Sequence, residues 1–242
     1  MAAQLLIEEG HEVLLHGRDH SRAEEALRAA PGALGAVQGD VASIAQTKAL
    51  AERVNEAGSF DAVIHNVGIG YRENRKILTE DGLPHVFAVN MLAPYTLTCL
   101  IKRPARLVYL SSGMHRGAQP THQDRLWERR SWNGASTYAE SKLHDAMLAF
   151  AVSRYWRDVF SNALEPGWVA TRMGGAGAPD DLTKAHTTQA WLAVSDDKEA
   201  CVTGKYFYHK KERAPNPAAH DDALQDQLIE ACHKYSGVEF PR

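Results

Sequence analysis

Tyr138 and Lys142 stand four residues apart in Tyr138-Ala139-Glu140-Ser141-Lys142. On a helix that spacing puts the phenol and the ammonium on one face. A phenol with its ordinary pKa of about 10 carries protons poorly near neutrality. A positive charge one turn away favours the phenolate. Bringing the group to about 7 takes roughly 4 kcal/mol of differential interaction, which a partly desolvated cleft can supply. The chemistry on offer is general acid/base catalysis by a tyrosine. The spacing alone is weak, because Tyr206 and Lys210 repeat it. Tyr206-Phe207-Tyr208-His209 is aromatic and strand-like, and four residues along a strand separate side chains by about 13 Å. That second pair is therefore predicted to be inert.

The elements that must position Tyr138 alternate along the chain. A helix over 1–9 ends at Gly10, and an apolar strand over 12–16 runs into Gly17-Arg18-Asp19. Ser21 is expected to cap a helix to 30, followed by a strand over 33–38 ending at Gly39-Asp40-Val41. A helix over 43–57 leads to a strand over 60–65 that ends at Asn66-Val67-Gly68. The stretch 83–101 is helical despite Pro94, and 106–110 is a strand ending at Ser111-Ser112. The polar, tryptophan-bearing segment 113–135 is long for a connection, which marks it as functional. Thr137 and Glu140 make a capping box for a helix to about 156. A strand over 159–164 ends at Glu165-Pro166-Gly167, then come a helix over 183–194, a strand over 206–209 and a helix over 222–235. There are no internal repeats and no linker, so 1–242 reads as one domain.

Such alternation with apolar strands means an α/β fold with a parallel sheet covered on both faces. Ligands then bind outside the carboxyl ends of the strands. That rule gathers Arg18, Asp40, Asn66, Ser112 and Pro166-Gly167 beside Tyr138. The odd pattern thereby becomes a candidate site.

Composition narrows the partners. Hydrophobic residues at 44% and charged residues at 24% describe an ordinary globular protein, and a net charge of −3 argues against nucleic acid. No stretch reaches the roughly 18 apolar residues of a membrane span, and the first residues lack the features of a secretion signal. Cys99, Cys201 and Cys232 are scattered, form neither a disulfide framework nor a metal motif, and suit a reducing cytoplasm. No Gly-x-Ser-x-Gly elbow surrounds any serine, which leaves a serine hydrolase poorly supported.

With these residues identified, the chain resembles the short-chain dehydrogenase/reductase family over nearly its whole length. The family's Asn-Asn-Ala-Gly motif has an altered counterpart in His65-Asn66-Val67-Gly68, and its helix asparagine falls on Asn90. Its serine falls on Ser112, its Tyr-xxx-Lys on Tyr138 and Lys142, and its Pro-Gly motif on Pro166-Gly167, with Val169 and Thr171 following. Ser111-Ser112-Gly113-Met114-His115 and the long interval before the tyrosine look most like the retinol-dehydrogenase-like members.

The resemblance implies a Rossmann-like, doubly wound fold and interconversion of a carbonyl and an alcohol with a nicotinamide cofactor. Ser112 would hold the carbonyl oxygen, Tyr138 would move its proton, and Asn90 would anchor a relay water. Lys142 would lower the phenol pKa and bind the nicotinamide ribose. Asn66, Val67, Gly68, Pro166, Gly167, Val169 and Thr171 would line the cofactor, with Asp40 and Val41 at the adenine. Arg18, where an NAD enzyme carries an acid, suits the 2′-phosphate of NADP(H), although Asp19 follows it. Ser111 is the alternative to Ser112, and His115 reads as a loop residue. Trp127, Trp132, Trp168 and Met173 hint at an apolar small-molecule substrate, shaped by 113–135 and 172–181. Family members pair through helices corresponding to 83–101 and 137–156, which implies a homodimer or homotetramer.

One departure is large. The family opens with a strand and a TGxxxGxG turn that cradles the pyrophosphate, and this sequence begins inside the helix that follows them. About fifteen residues would be missing by that layout, which reads as an N-terminally incomplete domain. Their strand would lie between those ending at His16 and His65, leaving two unpaired edges. An intact Asn-Ser-Tyr-Lys set favours an enzyme. The absent glycine turn favours a catalytically silent dinucleotide sensor or scaffold as the alternative.

Overall fold

Short apolar runs become strands and the longer periodic stretches helices. The structure, a computed structural model, describes residues 1–120 and 124–242. Helix α1 (Ala2–Glu8) precedes β1 (Leu14–Gly17), and α2 (His20–Ala29) leads to β2 (Gly35–Gln38). Then come α3 (Ile44–Ala57), β3 (Ala62–His65), α4 (His85–Phe87) and α5 (Ala93–Leu100). After β4 (Arg106–Leu110) come the long α6 (Gly134–Tyr155), β5 (Phe160–Glu165) and α7 (Thr187–Val194). Two short strands, β6 (Tyr206–Tyr208) and β7 (Lys211–Glu212), and α8 (Asp222–Ser236) close the chain.

Several boundaries differ from expectation for identifiable reasons. The α2 cap is Asp19, whose carboxylate accepts from Arg22 N at 2.8 Å, so Ser21 lies inside the helix. Helix α6 starts three residues before the expected capping box, because Asn133 accepts from Ser136 N at 2.9 Å. Thr137 instead donates to Asn133 O, and Glu140 is engaged by Arg130. Between α4 and α5 the chain passes through a π-helical turn, Ala88–Leu92. Pro94 has no N–H to give the carbonyl four residues back, and the wider turn accommodates it. The helix expected over 183–194 splits into a 3₁₀ turn, Leu182–Lys184, and α7. His209 and Lys210 have positive φ (49° and 61°) and turn β6 back onto β7. Tyr206 is thus a buried strand residue and Lys210 a turn residue, so the second Tyr-xxx-Lys forms no site.

The strands pair in parallel in two separate groups, β1-β2 and β3-β4-β5-β6, the latter with β7 antiparallel at its edge. No ladder joins β1 to β3 among the described residues. Their facing edges line one cavity of about 1750 Å³, which runs from a slot between them to the carboxyl ends of the strands. The slot lies between the ends at His16 and His65, where two unpaired edges are expected.

Both sheet faces are covered, as apolar parallel strands require. Along β4, Leu107 and Tyr109 join the core that contains α6 and α8, while Val108 packs with Leu164, Trp191, Leu192 and Phe207 on the other face. Helix α6 lies against β4 and β5 and under α8, and every residue from Thr137 to Ser153 is buried. One of the two stretches expected to pair with a second copy, 137–156, is thus largely covered within one chain.

His65, at the end of β3, is buried, stacks on Tyr109 at 4.8 Å and reaches Thr98 Oγ1 at 3.2 Å. Burial pushes its pKa down from 6.5 to about 4. The folded state thus binds a proton less readily than the unfolded chain, and stability falls as pH drops through this window. Lowering the pH from 7 to 5 should cost about 2 kcal/mol through this residue. Urea midpoints of the parent and His65→Gln at the two pH values measure it, and the variant should lose that increment.

Candidate active site

Burial of α6 on all sides forces its polar residues into specific pairings. Tyr138 is buried, with Tyr71 edge-on at 5.8 Å, and its hydroxyl points to Met173 Sδ at 3.8 Å. Lys142 Nζ lies 5.8 Å from the Tyr138 ring centre. It donates to Leu110 O at 2.7 Å and to Asp145 Oδ2 at 2.8 Å. Both Tyr138 and Lys142 line the cavity. The helical face read from their spacing is therefore a real one, and it opens on the cleft.

The two adjacent serines divide. Ser111 is buried and donates to Lys142 O at 2.6 Å, tying the end of β4 to α6. Ser112 caps a 3₁₀ turn, Gly113–Gly117, by accepting from Met114 N at 3.3 Å, and it is the more open of the pair. Asn90 sits in the π-helical turn and is wholly buried. Its Oδ1 accepts from Ile69 N at 2.7 Å, and its Nδ2 donates to Ile69 O and to Ser141 Oγ. That clamp fixes the loop after β3 against α6. His115 is a packed loop residue: Nε2 accepts from Asn216 N, so Nδ1 donates to Ser112 O, and burial lowers its pKa.

Of the residues assigned to a dinucleotide, Val41, Asn66, Val67 and Gly68 line the cavity from one side. Pro166, Gly167, Val169 and Thr171 line it from the other. Arg18 and Asp40 are not among the lining residues. Arg18 pairs with Asp19 at 3.1 Å in solvent, and Asp40 accepts from Ala42 N at 2.9 Å. A Cβ at position 68 would lie in ordinary contact with Lys142 Nζ, at 3.4 Å, and glycine leaves that space beside the ammonium free. The nicotinamide-ribose end of a dinucleotide thus fits the residues present. At the pyrophosphate end the described residues offer no glycine-rich turn.

The segments expected to shape the substrate pocket contribute unevenly. Residues 121–123 of the first lie outside the described residues. Trp127 and Trp132 pack edge-on at 5.7 Å, with Arg130 over Trp127 at 3.8 Å, and neither lines the cavity. Arg130 also binds Glu140 at 2.7 Å and Asp124 at 3.2 Å, so this segment is a strap on α6. Met114, Trp168 and Met173 do line the cleft. Sequence reasoning missed Tyr71, Glu165 and Asp145. Glu165 lies on the cavity wall and pairs with Arg116 at 2.7 Å. Its place directly before Pro166 was a visible signal, whereas nothing in the spacing singled out Asp145.

Comparisons with known proteins agree with this geometry. The family model described as Enoyl-(Acyl carrier protein) reductase matches residues 1–202. An uncharacterized oxidoreductase of Emericella nidulans is 41% identical over 99% of this chain and 93% of its own length. A short-chain dehydrogenase of Penicillium rubens, chyC, is 37% identical with the same coverage. Human retinol dehydrogenase 13 is 28% identical over 98% of this chain and 80% of its own. Among solved structures, an uncharacterized protein from Mycobacterium paratuberculosis superposes with a TM-score of 0.84 over 100% of this chain and 90% of its own, at 21% identity. An NADPH-bound carbonyl reductase from chicken fatty liver superposes with a TM-score of 0.58 over 84% and 87%, at 24% identity. Both show a shared fold.

The serine geometry predicts a split in stability. Ser111→Ala removes a buried hydrogen bond between β4 and α6 and should cost about 1 kcal/mol in urea unfolding. Ser112→Ala, at a more open cap on a short turn, should cost less than about 1 kcal/mol.

Proposed function

The chain belongs to the short-chain dehydrogenase/reductase family, and from that premise we propose that it interconverts an aldehyde or ketone and an alcohol by hydride transfer with NADP(H). The observation carrying this reading is that Tyr138, Lys142 and Ser112, from α6 and the end of β4, line one cleft at the carboxyl edge of the sheet. Ser112 Oγ donates to the carbonyl oxygen of the substrate and polarises it. Tyr138 gives its hydroxyl proton to that oxygen during reduction and takes it back during oxidation, as a general acid/base. Lys142 would hold the ribose of a bound dinucleotide, and its positive charge favours the phenolate. The bound dinucleotide supplies or accepts the hydride. Asn90 fixes the loop bearing Gly68 and Ile69, which keeps that wall of the cleft in place, and on the resemblance it anchors the relay water.

NADP(H) over NAD(H) rests on Arg18 at the end of β1, whose guanidinium suits a 2′-phosphate. The NADPH-bound carbonyl reductase of the same fold accords with it. An apolar substrate rests on Met114, Trp168 and Met173 in the cleft. A cytoplasmic setting rests on three free cysteines and on the lack, among the described residues, of any helix long and apolar enough to cross a membrane. Assembly as a homodimer or homotetramer rests on the resemblance alone. With α6 covered, it would use another face.

We also infer one dinucleotide-binding domain whose slot between β1 and β3 accommodates one further strand. The same slot favours a second reading, a catalytically silent dinucleotide sensor or scaffold. An NADPH oxidation assay over aldehydes, ketones and quinones separates the two. Turnover should be faster with NADPH than with NADH, and Tyr138→Phe should lower it by ~10²- to 10⁴-fold. No turnover by the parent on any carbonyl would leave the silent reading. The chain of residues 1–242, with no pyrophosphate-cradling turn, should bind NADPH more weakly than micromolar in a fluorescence titration, and tight binding would refute the slot argument.

A further inference from the structure

Lys142 is not the only charged group buried behind the cleft. Asp145, one turn further along α6, has 4% of its side-chain surface exposed, and Lys142 has 6%. Its Oδ2 lies 2.8 Å from Lys142 Nζ, and the ammonium also bonds Leu110 O at 2.7 Å. An ammonium has three N–H donors. Two are therefore directed into the protein, which leaves one for the cavity. Among the described residues Lys142 is the cation that acts on Asp145, and the Tyr109 hydroxyl on β4 is a further polar neighbour. Tyr109 is itself bonded to Thr98 at 2.7 Å and stacked on neutral His65, with the Cys99 thiol nearby.

We propose that Asp145 is a positioning residue for the reaction: its carboxylate anchors Lys142 at the back of the cleft and sets how much of the lysine's charge reaches Tyr138. This rests on the acid/base role proposed for Tyr138. The argument is electrostatic. A carboxylate in contact with the ammonium partly cancels its field, and in a buried site that field is weakly screened. While Asp145 is ionised, Tyr138 faces a nearly neutral pair. When Asp145 is neutral, the phenolate gains the full attraction of the cation. Burial pushes the Asp145 carboxyl up to about 6, against the opposing pull of Lys142. The balance of charge behind the tyrosine therefore changes as Asp145 gains or loses its proton.

The test separates charge from shape. Asp145→Asn keeps an acceptor for Lys142 and removes the charge, and Asp145→Glu keeps the charge. In the cofactor-free protein, the Tyr138 phenolate is followed by the ultraviolet absorbance that Tyr138→Phe loses. The expected result is a titration about one pH unit lower in Asp145→Asn and near the parent in Asp145→Glu. The acidic limb of alcohol oxidation, where activity rises as the tyrosine loses its proton, should move by the same amount in the same direction. If Asp145→Asn does not fold, Asp145→Ser removes the same charge and carries the same expectation. A titration that is unmoved, or moved upward, in the charge-free variant overturns the inference. Loss of activity in Asp145→Asn with an unshifted profile assigns Asp145 a merely structural role and also overturns it. An inactive parent, or a Tyr138→Phe variant as active as the parent, would instead defeat the reading of the site, while the absorbance titration would still report on Asp145.

Discussion

The structure depends on a helix that carries charge through the centre of the protein. Helix α6 is buried from Thr137 to Ser153, yet Glu140, Lys142 and Asp145 lie on it. Each must be paired, because removing one partner of a buried pair costs about 3–5 kcal/mol. Arg130 takes Glu140, Lys142 takes Asp145 and Leu110 O, and Asn90 takes Ser141. These bonds reach out to the strap, to β4 and to the π-helical turn, and together they fix the rotation and depth of α6. The position of the Tyr138 hydroxyl follows from that fixation.

The second constraint is the slot. Parallel strands gain their stability from continuous ladders, and among the described residues none pairs with β1 or β3 on the facing edge. A cavity of about 1750 Å³ is large enough to admit water to those edges, which limits the cost of leaving them unpaired. The two groups of strands are held together by helices instead. Helix α1 packs on α7, and α3 packs on α5. Asn55 on α3 bonds Leu100 O and Lys102 N at 2.8 Å each. The cleft thus continues into the slot between β1 and β3 and is bounded where the Tyr138 hydroxyl meets Met173.

Residues of one type take opposite roles here according to what surrounds them. Ser111 and Ser112 are neighbours, but strand alternation sends one into α6 and leaves the other at the cleft. Trp127 and Trp132 pack on each other with Arg130 over Trp127, while Trp168 stands open at the cleft with its indole N–H bonded to Gly174 O at 3.0 Å. Composition would have counted all three as signs of an apolar pocket. Only one of them is placed to be such a sign.

Much of this was legible in the sequence, because it depends on local periodicity and on the order of motifs. The strand over 106–110, the alternation of elements, and the gathering of Ser112, Tyr138 and Pro166-Gly167 at one edge follow from pattern, whereas the unpaired edges beside His16 and His65 were implied by the family resemblance. Caps were less legible. Asp19 and Asn133 outcompeted Ser21 and Thr137–Glu140, since several polar side chains near a helix start can reach the same N–H groups. What only the tertiary structure decided is which polar groups share a buried space. The carboxylate of Asp145 is three residues from Lys142, an ordinary surface spacing on most helices. Here the layers on every side of α6 exclude water, and that exclusion turns the spacing into a buried ion pair behind the tyrosine.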